Sequence, residues 1–128
     1  MTNQIFIERL RQAGVDTDSA INRFMGNEAL FLKFMRRLPD TLKIAEMKQT
    51  LEEGNGEDFY SYVHDLKGVA GNLGLSDIFD AAQATLVEYR STQLRNKKKM
   101  VGLLSEIEEY CQKVFIILEE DISENGAD

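Results

Sequence analysis

The chain predicts an all-α domain, and three observations carry that expectation. It has a single proline in 128 residues. It is rich in Leu, Glu, Lys, Ala and Met, with few β-branched runs, a composition that favours helix over strand. Its apolar residues recur at three- and four-residue steps along most of its length. Four long helices with short connections, preceded by one or two short ones, predict an antiparallel up-down four-helix bundle, with an irregular helical array of the same elements as the alternative. One domain over residues 1–128 is expected, with its core at about 15–118 and a frayed tail at 123–128.

The elements follow in order. Thr2 can cap a short first helix whose sticky side is Ile5, Phe6 and Leu10 and which ends before Gly14. Asp16 or Thr17 opens a second short helix with Ile21, Phe24 and Met25 facing inward, and Gly26-Asn27 breaks it. Asn27 caps a long amphipathic helix from Glu28, carrying Phe31, Phe34, Leu38, Leu42 and Ala45 on its inner stripe. Pro39 falls inside it and removes a backbone donor. Because the stripe keeps its phase across the proline, a kink is expected there instead of a break.

Glu52-Glu53-Gly54-Asn55-Gly56 is the clearest interruption, with two glycines bracketing an asparagine. The next helix starts with Glu57 and Asp58 in its first turn and ends near Leu73, punctuated by Gly74. Ser76 caps its successor, with Ile78, Ala82, Thr85, Leu86 and Tyr89 inward and an end near Ser91-Thr92. A last long helix carries Leu103, Leu104, Ile107, Tyr110, Cys111, Val114, Leu118 and Ile122.

A net charge of −7 argues against nucleic acid as a partner, because phosphate backbones need a basic face. The one basic run, Arg95-Asn96-Lys97-Lys98-Lys99, reads as a solvated loop or helix start. Cys111 is the only cysteine, so neither a disulfide framework nor a cysteine-based metal cluster is expected, and its apolar neighbours make it a core residue. No apolar run reaches the roughly 18 residues of a membrane span, and no leader pattern opens the chain. A cytoplasmic protein without membrane insertion is expected.

Function is concentrated in residues 60–74, which contain the only histidine. At roughly 100° per residue, Phe59, Tyr62, Val63, Leu66, Val69, Ala70 and Leu73 gather on one side of a helix and His64 falls on the other. Beside His64 lie Tyr60, Lys67, Gly68 and Gly71. Inside a helix each glycine costs about 0.8–1.0 kcal/mol relative to alanine. On an outward face that loss is explained if another molecule must approach the backbone. A neighbouring helix of the same chain covering Gly68 or Gly71 is the structural alternative.

An imidazole nitrogen can serve as metal ligand, general base or nucleophile. Metal binding is poorly supported, since no second histidine or cysteine partner lies within reach of His64 in the sequence. A hydrolase using His64 as general base lacks a third orienting group at motif spacing. A nucleophile that accepts a phosphoryl group fits better, because Lys67 at i+3 reaches the same space and offsets the added charge. With no Walker-type loop or kinase signature, the chain would carry phosphate and not draw it from ATP.

The run His64-Asp65-Leu66-Lys67-Gly68-Val69-Ala70-Gly71-Asn72-Leu73-Gly74 resembles the His-x-Leu-Lys-Gly-x-Ala-x-x-Leu-Gly motif of histidine phosphotransfer (HPt) domains. Val15-Asp16 and Phe24-Met25-Gly26-Asn27-Glu28 resemble the start of the same domain, so the resemblance spans roughly Val15 to Leu118. It implies a four-helix bundle acting in a multistep His-Asp phosphorelay, as a phosphocarrier with no stand-alone catalytic activity. His64 would take a phosphoryl group from the aspartyl phosphate of one receiver domain and pass it to the aspartate of another. Response-regulator receiver domains and a hybrid sensor histidine kinase are the implied partners, with Mg²⁺ on the receiver and no cofactor or metal on this chain. Lys67 would assist the phosphate and the position of Gly68 would be kept small so that the receiver can dock; the helix face itself adds Tyr60 and Gly71 as docking candidates.

Family members often carry a Leu-Glu pair late in the following helix, where this chain has Leu86-Val87 before Glu88. Phosphotransfer domains of chemotaxis kinases share a similar core but are joined to kinase modules, so a stand-alone or excised carrier, monomeric, is expected. The rival reading is a helical adaptor that docks a protein through the Gly68/Gly71 face and is never phosphorylated.

Overall fold

The computed structural model describes residues 1–125 and is helical throughout. Among the described residues there are eight helices: α1 (Asn3–Gln12), α2 (Thr17–Arg23), α3 (Glu28–Arg36), α4 (Leu38–Thr41), α5 (Ile44–Glu53), α6 (Gly56–Leu73), α7 (Ser76–Thr92) and α8 (Lys97–Asn125). Helix α6 packs against both α5 and α7, α7 packs against α8, and α1 lies on α8. The core draws on every one of them, with Phe6, Phe31, Leu38, Met47, Phe59, Leu86 and Met100 among its fully buried side chains.

Short polar side chains set most of the helix starts. The Thr2 hydroxyl accepts from the Ile5 amide, Asp16 from Ser19, Asn27 from Leu30 and Asn55 from Asp58. Each satisfies one of the amides that the first helical turn leaves without a partner. Asn96 does the same for Lys99 at the head of α8, so the basic run is a helix start. Helix α7 departs from expectation: its cap position is Leu75, and Ser76 is already its first residue.

The long helix expected from Glu28 is broken, not kinked. Helix α3 stops at Arg36, and Pro39 sits in the first turn of α4, where a missing amide hydrogen costs little. Leu42 is then fully extended (ψ 129°) before α5 begins. The two interruptions reset the helical phase, which is why Ala45 is exposed and the inner side of α5 is Met47, Thr50 and Leu51. Phe34, expected inside, is 42% exposed and stacks on Phe24.

Met25 is 96% exposed, because α2 ends at Arg23 and the residue occupies the following turn at φ 57°. Ile5 and Ile122 also face outward, their inner places taken by Ile7 and by Asp121. Asp121 is buried because Arg36 reaches it from α3 through Nε (2.8 Å) and Nη2 (3.4 Å). Residues 123–125, expected to fray, continue α8, with Glu124 paired to the N-terminal ammonium of Met1 at 2.7 Å. The rest of the expected tail, 126–128, lies outside the described residues. Cys111 is buried in the core face of α8, and burial pushes its thiol up to about 12, with the Glu108 carboxylate adding to the rise.

One junction fixes the N-terminal segment to the end of α6. Gly74 ends that helix at φ 73°, a left-handed conformation that favours glycine. Its carbonyl accepts from the Asp16 amide at 2.7 Å, and Val15 forms an isolated antiparallel bridge with Leu75. A side chain at position 74 would meet the Asp16 carbonyl oxygen at 2.3 Å, so the close approach itself demands glycine.

Candidate functional site

Helix α6 buries Phe59, Val63, Leu66, Ala70 and Leu73 and leaves His64 and Gly68 exposed on the opposite side. A Cβ added at Gly68 would meet nothing within 4 Å. The helix backbone beside the imidazole is therefore open to whatever approaches it.

Gly71 differs. A Cβ there would touch the Phe79 ring of α7 at 3.4 Å, so a neighbouring helix of the same chain covers this glycine. The alternative raised from the sequence thus holds for Gly71 and fails for Gly68. Lys67 is half-buried, with its ammonium 5.4 Å from the centre of the same Phe79 ring. Cation and aromatic face attract each other, which steadies a long side chain one turn from His64.

Tyr60, one turn before His64, is half-buried. Its ring lies nearly parallel to the imidazole, with centroids 6.3 Å apart and planes at 22°. Its other contacts come from α7: the Tyr89 ring at 5.2 Å, and Arg90, whose Nη2 donates to the Tyr60 hydroxyl at 3.1 Å. Together with Glu57 and Gln93 these residues line a shallow groove of about 310 Å³ on one flank of the face.

The other flank holds a larger groove of about 500 Å³. Phe24 and Phe34 stack in it with centroids 5.5 Å apart, Val69, Asn72 and Leu73 of α6 form one wall, and Arg23 and Arg37 stand at its edge. His64 lines neither groove and stands on the ridge between them. Lys67, Arg90, Arg23 and Arg37 place cations around this side, with the exposed Glu57 and Asp65 among them, although the chain as a whole carries −7.

The imidazole stands on an exposed helix face, outside both grooves. That geometry suits transfer to or from another macromolecule better than enclosure of a small substrate. Among the described residues no group of three or more His, Cys, Asp or Glu side chains comes together at metal-binding distances. No helix is long and apolar enough to cross a membrane among those residues.

The structure brings Tyr60, His64, Lys67, Gly68 and Gly71 onto one side of α6, with Tyr60 and Gly71 partly covered by α7. Sequence reasoning missed Phe79, Tyr89, Arg90 and the Phe24–Phe34 groove. A signal for the α7 residues does exist. In a helical hairpin, positions equidistant from the turn face one another: Tyr60 and Arg90 each lie fifteen residues from Leu75, and Gly71 and Phe79 each lie four. The groove depends on the break between α3 and α5, which periodicity does not reveal. No family model matches the chain, and no curated protein or solved structure shows significant similarity to it.

Proposed function

We propose that this chain is a histidine phosphotransfer protein whose His64 shuttles phosphate between receiver domains. The observation that carries the reading is the exposed His64 beside an uncovered Gly68, with the Lys67 ammonium one turn away. The eleven-residue motif from His64 to Gly74 supports it independently. In this reading α5, α6, α7 and α8 are the antiparallel four-helix bundle, and the chain works as a cytoplasmic monomer.

In the forward step a neutral ring nitrogen of His64 attacks the phosphorus of a receiver's aspartyl phosphate. A nitrogen–phosphorus bond forms as the phosphorus–oxygen bond to aspartate breaks, and the carboxylate leaves with the bonding pair. The second ring nitrogen keeps its proton, so the phosphoimidazole carries a positive charge against the phosphate. Return to a second receiver reverses each bond change. Lys67 offsets charge on the phosphoryl oxygens, and the Mg²⁺ the chemistry uses belongs to the receiver. Gly68 lets the receiver's surface approach α6, while the cations around this side match its acidic site.

The test is transfer from a phosphorylated receiver. Acid-labile, alkali-stable phosphate should appear on this chain and be absent in His64→Gln. Failure with every cognate receiver would favour the adaptor reading, which the apolar Phe24–Phe34 groove also supports, since that groove can hold a partner whether or not His64 is modified.

A further inference from the structure

A histidine on an open helix surface is ordinarily free to rotate about both side-chain torsions, and turning the ring about the second swings the plane in which its two nitrogens lie. A nucleophile presented in varying directions reacts poorly, because productive attack needs a narrow range of approach. His64 is not so free. The Tyr60 ring lies one turn before it on α6 and nearly parallel, at 22° and 6.3 Å, within the range where aromatic pairs attract. Tyr60 is itself held from α7: Arg90 donates to its hydroxyl at 3.1 Å and places its guanidinium 5.9 Å from the ring centre. Tyr89 backs the ring at 5.2 Å. Tyr89 in turn lies tight over Gly56, where a Cβ would come within 2.7 Å of its hydroxyl oxygen. An unbroken series of contacts therefore runs from Gly56 through Tyr89 and Tyr60 to the imidazole, tying ring orientation to the packing of α6 on α7.

We infer that Tyr60, anchored by Arg90, is a positioning residue that fixes the plane of the His64 imidazole, and with it the plane in which its nucleophilic nitrogen is presented. The inference rests on the carrier reading for its use, and it gives Tyr60 a role turned inward to His64 instead of outward to a partner.

Because His64 is the only histidine, its ring protons are unique in an NMR spectrum and report orientation directly. In the wild type these protons should show a ring-current displacement from the positions of a free histidine. It should vanish in Tyr60→Leu, diminish in Arg90→Met as Tyr60 loosens, and persist largely in Tyr60→Phe, which keeps the ring and loses the hydroxyl. Identical shifts in wild type, Tyr60→Leu and Arg90→Met would overturn the inference. Transfer from a phosphorylated receiver, whose docking fixes the direction of attack, supplies the second readout. Tyr60→Leu should take up phosphate several-fold more slowly than wild type, with partial rescue in Tyr60→Phe. Equal rates alongside displaced shifts would also overturn the positioning role. Absence of uptake by the wild type from any phosphorylated receiver would instead remove the carrier reading, with the ring shifts still deciding whether Tyr60 orients the imidazole.

Discussion

A Cβ at position 68 would stand in open space, whereas one at position 71 would rest on Phe79 at 3.4 Å. The two glycines therefore answer different substitutions. Gly68→Ala should stabilise the fold by about 0.5–1 kcal/mol, the helix penalty of glycine with no packing change against it, read from urea unfolding. Gly68→Gln should fold at least as well as the parent and yet block transfer from a phosphorylated receiver; unchanged kinetics would sink the steric-clearance argument. Gly71→Leu should destabilise, because its branches must displace the Phe79 ring. Lys67→Ala should slow phosphotransfer while costing less than about 1 kcal/mol, the scale of one exposed cation–π contact. A large loss of thermal stability would contradict the position of Lys67 at the helix surface. Helical phase made His64 and Gly68 legible in the sequence, since both lie opposite the apolar stripe. It could not separate Gly71 from Gly68, because what covers Gly71 comes from another helix.

Among the helices, the α7–α8 connection carries its own pH dependence. The Glu88 carboxylate accepts from Lys99 (2.8 Å) and Thr92 (2.6 Å), and these bonds, Lys99 first, hold it below the ordinary value of 4.5. A carboxyl group whose folded value is depressed favours folding in its ionised form. Its contribution is present above the unfolded value and fades as the pH falls through the folded one. Urea midpoints measured from about pH 7 down to about pH 3 should therefore drop less steeply in Glu88→Gln than in the parent. Parallel curves would show the clamp to be inert. This clamp joins residues on two helices, and the charge pattern of either alone does not announce it. The breaks around α4 escaped the sequence for a related reason. Leu38 and Leu42 keep the helical spacing of Phe31 in the sequence as far as the second break, so the apolar stripe reads as one helix although the backbone at Leu42 is extended.

At the scale of the molecule, the flanks of the His64 ridge depend on two long-range fastenings. One is the hairpin of α6 and α7, which delivers Phe79, Tyr89 and Arg90. The other is the junction of Asp16 and Gly74, which holds α2 and its Phe24 beside α6. Gly74→Ala should weaken the second: the left-handed backbone alone costs roughly 1–2 kcal/mol, and the new Cβ would collide with the Asp16 carbonyl. Denaturant unfolding should show a loss above that figure, and limited proteolysis should cut first near α2. Unchanged stability would mean the junction is not tight. Gly74 was legible as a helix end, but its close contact with Asp16 was not, because the sequence does not say which distant backbone a turn will meet. The burial of Cys111 has a practical consequence. Its thiol, pushed to about 12 and enclosed by core side chains, should resist maleimide at neutral pH in the folded protein. The chain thus offers a silent chemical background, and Gly68→Cys would accept a single fluorophore at the ridge, turning any encounter there into a change of colour or anisotropy.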